Sequence, residues 1–339
     1  MMTSDFTRFA LSGCAAVLLA SCSGSQPPIG GSGAAMQSRA IATHAAQRAV
    51  FGMPAPDSAT RGIYASEYNM GSLDILGYAK NNRKNGPPTC SLSTSGSYGD
   101  IAVDAKGDLI VPEGFNTVAI FKGPGMCGPK LGSIQLFAGG DAVDAASADA
   151  ADGKIAVAAY QDGSAPGSIE VCTLKSGCTN LQNPDMNFVS AVALAKNGDC
   201  WGSSQQAGSM GGAVLTYFGG CSGSGQTATG YKNSGAGGLD IDKDGNIVSI
   251  DSSSTPEVYV YSGCKPTCKI LGGPFALKGG ALYGHLNEDS TRYAAADGEY
   301  NQVDVYAYSS TMLTYMYSFN NGLPSDYLVG LAYNARSKE

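Results

Sequence analysis

Four acids stand at equivalent points of a repeating pattern: Glu67 and Glu113, then Asp251 and Asp297, with Ala159 and Ser204 at the two remaining points. Each closes a short apolar run. Carboxylates that converge on one face of a closed ring would offer the oxygen ligands that a hard cation such as Ca²⁺ takes. Asp100, Asp144 and Asp326 are expected from loops opening on the same side. A local reading competes: an acid ending a strand accepts hydrogen bonds from the turn that follows, and needs no ligand. His285, in Tyr283-Gly284-His285-Leu286, is the one histidine outside the linker that holds His44, so any His-dependent nucleophile would have to use it. Packing or a single hydrogen bond explains it as simply. No serine sits in a Gly-x-Ser-x-Gly elbow followed by a helix. The stretches Gly219–Gly223 and Gly235–Gly238 are glycine-rich but open no helix, which argues against a phosphate cradle.

The elements that must position these residues repeat. A turn followed by a β-branched or aromatic run recurs at Arg61, Gly107, Gly153, Gly198, Gly245 and Thr291, starting points 46, 46, 45, 47 and 46 residues apart. A second alternating run follows each, as in Val118–Phe121, Val258–Tyr261 and Val303–Tyr306, and a further strand precedes each turn, as in Ile101–Asp104 and Leu239–Asp242. With a weaker outer strand such as Met312–Tyr315, each unit has four strands, which is one propeller blade. The first unit lacks its first strand, and Leu331–Asn334 supplies one at the other end. The expected fold is therefore all-β: a six-bladed β-propeller whose C-terminal strand completes the first blade, spanning residues 61–339.

The strand-turn-acid-Asn pattern in Ile101–Asp104, Gly107, Glu113, Asn116 and Val118–Phe121, matched again at Asp297, Asn301 and Val303–Tyr306, resembles NHL-repeat propellers. The layout is similar to secreted bacterial propeller lipoproteins of unknown function. The acid set also resembles gluconolactonase-like propellers, which implies a metal-dependent lactonase as an alternative to a binding module. A structural envelope protein without a ligand is a third reading.

Composition narrows the classes. The 339 residues include 47 Gly and only 14% charged residues, against about 25% in ordinary soluble domains. A net charge of −7 argues against nucleic acid, and 43% hydrophobic residues against charge-driven disorder. The run Phe9–Ser21 is too short to span a bilayer and reads as a signal peptide over 1–21. It ends in Leu19-Ala20-Ser21-Cys22, which resembles a bacterial lipobox and implies a lipid on Cys22. Residues 22–60, rich in Gly, Ser, Ala and Pro, read as a flexible tether. The expected address is the cell envelope, with membrane contact only through the lipid, or the medium if Cys22 is unmodified. The chain is expected to act as a monomer that binds a protein, peptide or small polar ligand.

Cys14 in the leader and Cys22 aside, eight cysteines remain, and an even number in an exported chain reads as disulfides. Cys172 with Cys178 and Cys264 with Cys268 bracket equivalent hairpins. Cys200 and Cys221 could tie neighbouring strands, and Cys90 with Cys127 is the remainder. Structural zinc competes for Cys264-x-x-x-Cys268 but lacks two further ligands, histidine being so scarce.

Overall fold

A computed structural model describes residues 62–69, 72–79, 86–95, 99–113, 116–123, 126–136, 144–151, 153–160, 167–173, 177–206, 212–323 and 327–334, except the side chains of 144–146. The leader, Cys22, the tether with His44, and Asp326 lie outside the described residues.

The alternating apolar runs form strands, and these build six antiparallel four-stranded sheets in a ring. Blade 1 uses β1 (Gly62–Asn69), β2 (Ser72–Ala79) and β3 (Cys90–Ser95). Blade 2 runs outward from β4 (Ala102–Val103) through β5 (Leu109–Pro112) and β6 (Thr117–Phe121) to β7 (Lys130–Gln135). Blade 3 comprises β8 (Asp144–Ala151), β9 (Lys154–Tyr160), β10 (Ser168–Thr173) and β11 (Gly177–Gln182). Blade 4 comprises β12 (Met186–Leu194), β13 (Cys200–Gln206), β14 (Ala213–Phe218) and the two-residue β15 (Gln226–Thr227). Blade 5 comprises β16 (Ala236–Ile241), β17 (Ile247–Asp251), β18 (Glu257–Gly263) and β19 (Cys268–Ala276). Blade 6 comprises β20 (Ala281–Leu286), β21 (Arg292–Asp297), β22 (Gln302–Ser309) and β23 (Met312–Phe319).

The last strand, β24 (Tyr327–Tyr333), pairs with β1, placing Tyr64 opposite Ala332 and Ala65 opposite Leu331. It becomes the innermost strand of blade 1, so the first and last stretches of the ring share one sheet. Both faces of a blade are apolar because alternate residues of each strand point to opposite sides. The core is accordingly a series of walls between blades. Ile63, Leu76 and Tyr78 of blade 1 pack with Ala296, Val303, Val305 and Phe319 of blade 6, and β24 adds Leu328, Leu331 and Tyr333. Ile110, Val118 and Ile120 of blade 2 meet Ile155, Val157 and Ala159 of blade 3 in the same manner.

Tight turns set the repeat. Asp104 Oδ1 accepts the N–H groups of Lys106 and Asp108, and Asp242 Oδ1 those of Asp244 and Asn246. The chain then reverses at Gly107 and Gly245, whose φ of 85° and 81° a side chain would resist. Four disulfides join Cys90 to Cys127, Cys172 to Cys178, Cys200 to Cys221, and Cys264 to Cys268. The first links β3 of blade 1 to the loop after β6 of blade 2; the other three each staple one blade. Such bonds fit an oxidising, exported environment.

Two outcomes follow for stability. Leu331→Ala, at a fully buried position of the closing strand, should lower the urea-unfolding free energy by about 2–5 kcal/mol. Replacing Cys172 and Cys178 together by serine, which opens a loop of sequence separation 6, should cost only about 2 kcal/mol in the same measurement.

Candidate functional site

A histidine and two carboxylates meet at the innermost strands of the ring, with a third carboxylate within electrostatic reach. His285 of β20 places Nε2 2.8 Å from Asp100 Oδ2, which accepts its hydrogen bond, and its Nδ1 lies 3.4 Å from Asp240 Oδ2 of β16. Asp149 of β8 is close enough for the charges of Asp240 and His285 to act on it.

Strand register explains the meeting. His285 pairs with Ala294, Asp240 with Val248, and Asp149 with Ala156. Each partner lies three residues after the turn position of its blade, namely Thr291, Gly245 and Gly153. At the same level blades 1, 2 and 4 carry Ala332, Ala102 and Ala193, opposite Tyr64, Ile110 and Trp201. One layer of the ring thus holds three alanines, two aspartates and a histidine.

The carboxylates also satisfy backbone. An innermost strand has one edge without a neighbouring strand, and its N–H groups need acceptors. Asp149 Oδ2 accepts the N–H of Leu194 in the next blade at 2.7 Å, and Asp240 Oδ2 accepts that of Leu286 in the next blade at 2.6 Å. Asp100 Oδ1 accepts the N–H of Leu331 at 3.1 Å, tying blade 2 to the closing strand.

The electrostatics follow from burial. Burial alone would pull His285 down, but the carboxylates of Asp100 and Asp240 outweigh it and hold the imidazole well above its usual pKa, as a cation. Burial raises Asp100, and the charge of His285 opposes that rise. Asp149 is pushed up to about 6, chiefly by burial and then by the charge of Asp240. Chemically the cluster is a proton-holding network whose carboxylates are bonded to main chain.

The strand-ending acids go elsewhere. Asp251 accepts from the N–H groups of Ser234, Gly235 and Ser253 and from the Ser234 hydroxyl, which fixes the loop entering β16. Asp297 Oδ1 accepts the N–H groups of Glu299 and Tyr300, and its Oδ2 the Gln302 amide. Glu113 reaches the rim, taking the Thr94 hydroxyl of β3 and an ion pair with Lys130 of β7 at 2.8 Å. Glu67, fully buried in β1, has the Asn301 amide of blade 6 at 3.4 Å. The structure therefore brings His285 and Asp100 together, while Glu113, Asp251 and Asp297 each bind donors of their own surroundings. Asp144 lies in β8 opposite Tyr160. No group of three or more His, Cys, Asp or Glu is arranged to hold a metal ion among the described residues.

Asp149 and Asp240 are the members of the axial cluster that the repeat pattern did not single out. Their signal was present: both precede a turn glycine, Asp240 by five residues and Asp149 by four. The β8–β9 hairpin closes through Ala151 opposite Lys154, tighter than the Ile241–Ile247 reversal of blade 5, and this one-residue difference conceals their equivalence.

The fold and site define a six-bladed β-propeller whose axis is bridged by a charged layer. No protein-family model matches the chain, and no curated protein sequence matches it. Among solved structures it is similar to a chain of the nidogen/laminin complex, with a TM-score of 0.57 and 12% identity over 81% of this chain and 98% of that one. It is also similar to the WD40 domain of Toxoplasma gondii coronin, with a TM-score of 0.50 and 15% identity over 78% of this chain and 70% of that one. At such identities the likeness is one of propeller fold.

The charged layer predicts a pH profile. Asp149, with its pKa raised, binds more protons folded than unfolded between roughly pH 4 and 6, so stability should fall as pH rises through that window. Asp149→Asn should flatten this segment of a denaturation-versus-pH curve. The contribution of His285 has the opposite origin but the same sign: it is full below about pH 6.5 and lost as pH climbs through the higher folded value. His285→Gln should cost about 3–5 kcal/mol at pH 7, because it leaves Asp100 buried without its partner. The cost should shrink as the pH falls and Asp100, its carboxyl raised by burial, takes up a proton.

Proposed function

We infer that this protein works by binding rather than by catalysis, as an exported propeller held at the cell envelope by a lipid on Cys22 and a tether over residues 22–60. The observation that carries this reading is where the acids go. Asp251 and Asp297 are engaged by backbone donors of their own loops, Glu113 by a lysine and a hydroxyl, and Asp100 by His285 and the Leu331 N–H. Their geometry answers to blade construction and leaves recognition to the loop-bearing face and the rim.

Four disulfides, which together reach five of the six blades, support export. Among the described residues no helix is long and apolar enough to cross a membrane, so an anchor at Cys22 would supply the attachment. Kinship to NHL-type repeats is proposed on the Asp-turn-Gly hairpins at Asp104 and Asp242 and on Asn116 and Asn301, both at positive φ (58° and 50°) after the strand-ending acid.

Calcium and a lactone panel separate this reading from a metal-dependent hydrolase. The expected result is a melting temperature unchanged by millimolar Ca²⁺ and no lactone opening. A Ca²⁺-dependent rise that disappears in Asp251→Asn or Asp297→Asn would establish the metal reading instead. Mass spectrometry of the mature chain should find a lipid-modified Cys22, and Cys22→Ala should move the protein from the membrane to the soluble fraction. A mature N-terminus beyond residue 22 would refute the anchor.

A further inference from the structure

The outer strands of the blades differ in how they protect their free edges. β15 is two residues long, β7 begins with Lys130, and β19 carries Lys269 and Pro274. Short length, lysine and proline are the usual ways of making an edge unreceptive to another strand. β3 and β11 are six residues each, rich in Ser, Thr, Asn and Gln, and each ends at or next to a disulfide.

β23 is neither short nor marked by lysine or proline, and its one irregularity is a bulge at Met316, where Val305 pairs with Tyr317 and Tyr306 with Tyr315. Its eight residues, Met312-Leu313-Thr314-Tyr315-Met316-Tyr317-Ser318-Phe319, include no charge, proline or glycine. Among the described residues its main chain pairs on one side only, with β22, from Ser309 opposite Met312 to Val303 opposite Phe319. The N–H and C=O groups that do not serve that ladder face outward on alternate residues. Met312, Tyr315 and Met316 are 49%, 41% and 43% exposed. β19 extends the patch with Ile270 and Leu271, 40% and 37% exposed. Gly272 lets β19 lie close, since a Cβ there would stand 2.3 Å from the Ser310 carbonyl at the β22–β23 turn.

We propose that β23 is a docking edge for an extended segment of another protein, which adds to blade 6 as a fifth strand. This rests on the binding reading above and names its surface and the kind of partner. Five side chains, each less than half exposed, give a patch of a few hundred Å². That is short of the ~800 Å² per partner of a standard stable interface, so a globular second copy packed on this patch is under-held. An added strand makes up the difference through main-chain hydrogen bonds, while its alternate side chains cover the apolar patch. Charge selects further. In a chain of net charge −7, the exposed cations here are Lys278, whose Nζ lies 4.4 Å over the Tyr315 ring, and Lys269 beside Ile270. The segment that fits has apolar or β-branched residues at alternate positions and carboxylates at one end.

The test uses the full exported protein and a fluorescent ten-residue peptide alternating Val and Thr with two Glu at one end. The expected result is saturable binding in fluorescence polarisation, with backbone amide shifts confined to β23 and its neighbours β22 and β19. Met316→Lys and Thr314→Lys, both at exposed positions, should each weaken binding at least tenfold with an unchanged melting temperature, and Met316→Leu should leave it intact. Exchanging the two Glu for Lys in the peptide should weaken it severalfold. Binding indifferent to both lysine variants, or amide shifts elsewhere, would overturn the proposal. So would self-association in sedimentation that the lysine variants abolish while the peptide fails to bind, which would assign the edge to a second copy. A ligand on the loop-bearing face with β23 silent would overturn this inference alone, whereas lactone opening with no peptide binding would remove the binding reading as well.

Discussion

Everything in this molecule depends on the pairing of β24 with β1. Each apolar wall lies between two blades, so no blade owns a complete core. Without β24, the wall towards blade 6 would lose Leu328, Leu331 and Tyr333, and the wall towards blade 2 would lose Val329 and Ala332. A closed ring gives every blade two neighbours; an open one leaves two apolar faces in water. The disulfide from Cys90 to Cys127 reinforces the neighbouring junction, between blades 1 and 2.

Closure creates the problem that the axial charges solve. It gathers strand edges around the axis, where their N–H groups lack a next strand. Asp149, Asp240 and Asp100 each give an oxygen to such a group on a different blade, and His285 neutralises part of the charge they bring. Buried ion pairs seldom add much net stability over apolar packing, because desolvation offsets most of the attraction. These gain from bonding main chain that would otherwise go unsatisfied. The same logic governs Asp251 and Asp297 at the loop ends. Asp100, Asp149, Asp240, Asp251 and Asp297 all act as acceptors for backbone.

The rim has the reverse character. Outer strands face water, and most carry polar or charged residues, short length or disulfides. β23 departs from that rule with Met312, Tyr315 and Met316 exposed and a lysine lying on Tyr315. An edge of this kind invites self-assembly unless it is reserved for a partner.

The sequence by itself determined the architecture. A period near 46 residues, turn glycines and alternating strands are local signals, and a repeat multiplies a local signal by the number of copies. Even closure was legible, because the first unit lacked the strand that Leu331–Asn334 supplies. The acids at the strand ends were legible as positions, and their local bonding to turns is a short-range matter. Only the tertiary structure decided which side chains share the axis. His285 and Asp100 are 185 residues apart and meet because blades 6 and 2 both flank blade 1 in the ring. Asp149 and Asp240 join them through strand register, which a hairpin shorter in blade 3 than in blade 5 conceals in the linear alignment. Met312–Tyr315 was legible as the outer strand of its blade, but which of its side chains stand exposed was decided only by the packing of the blades around it.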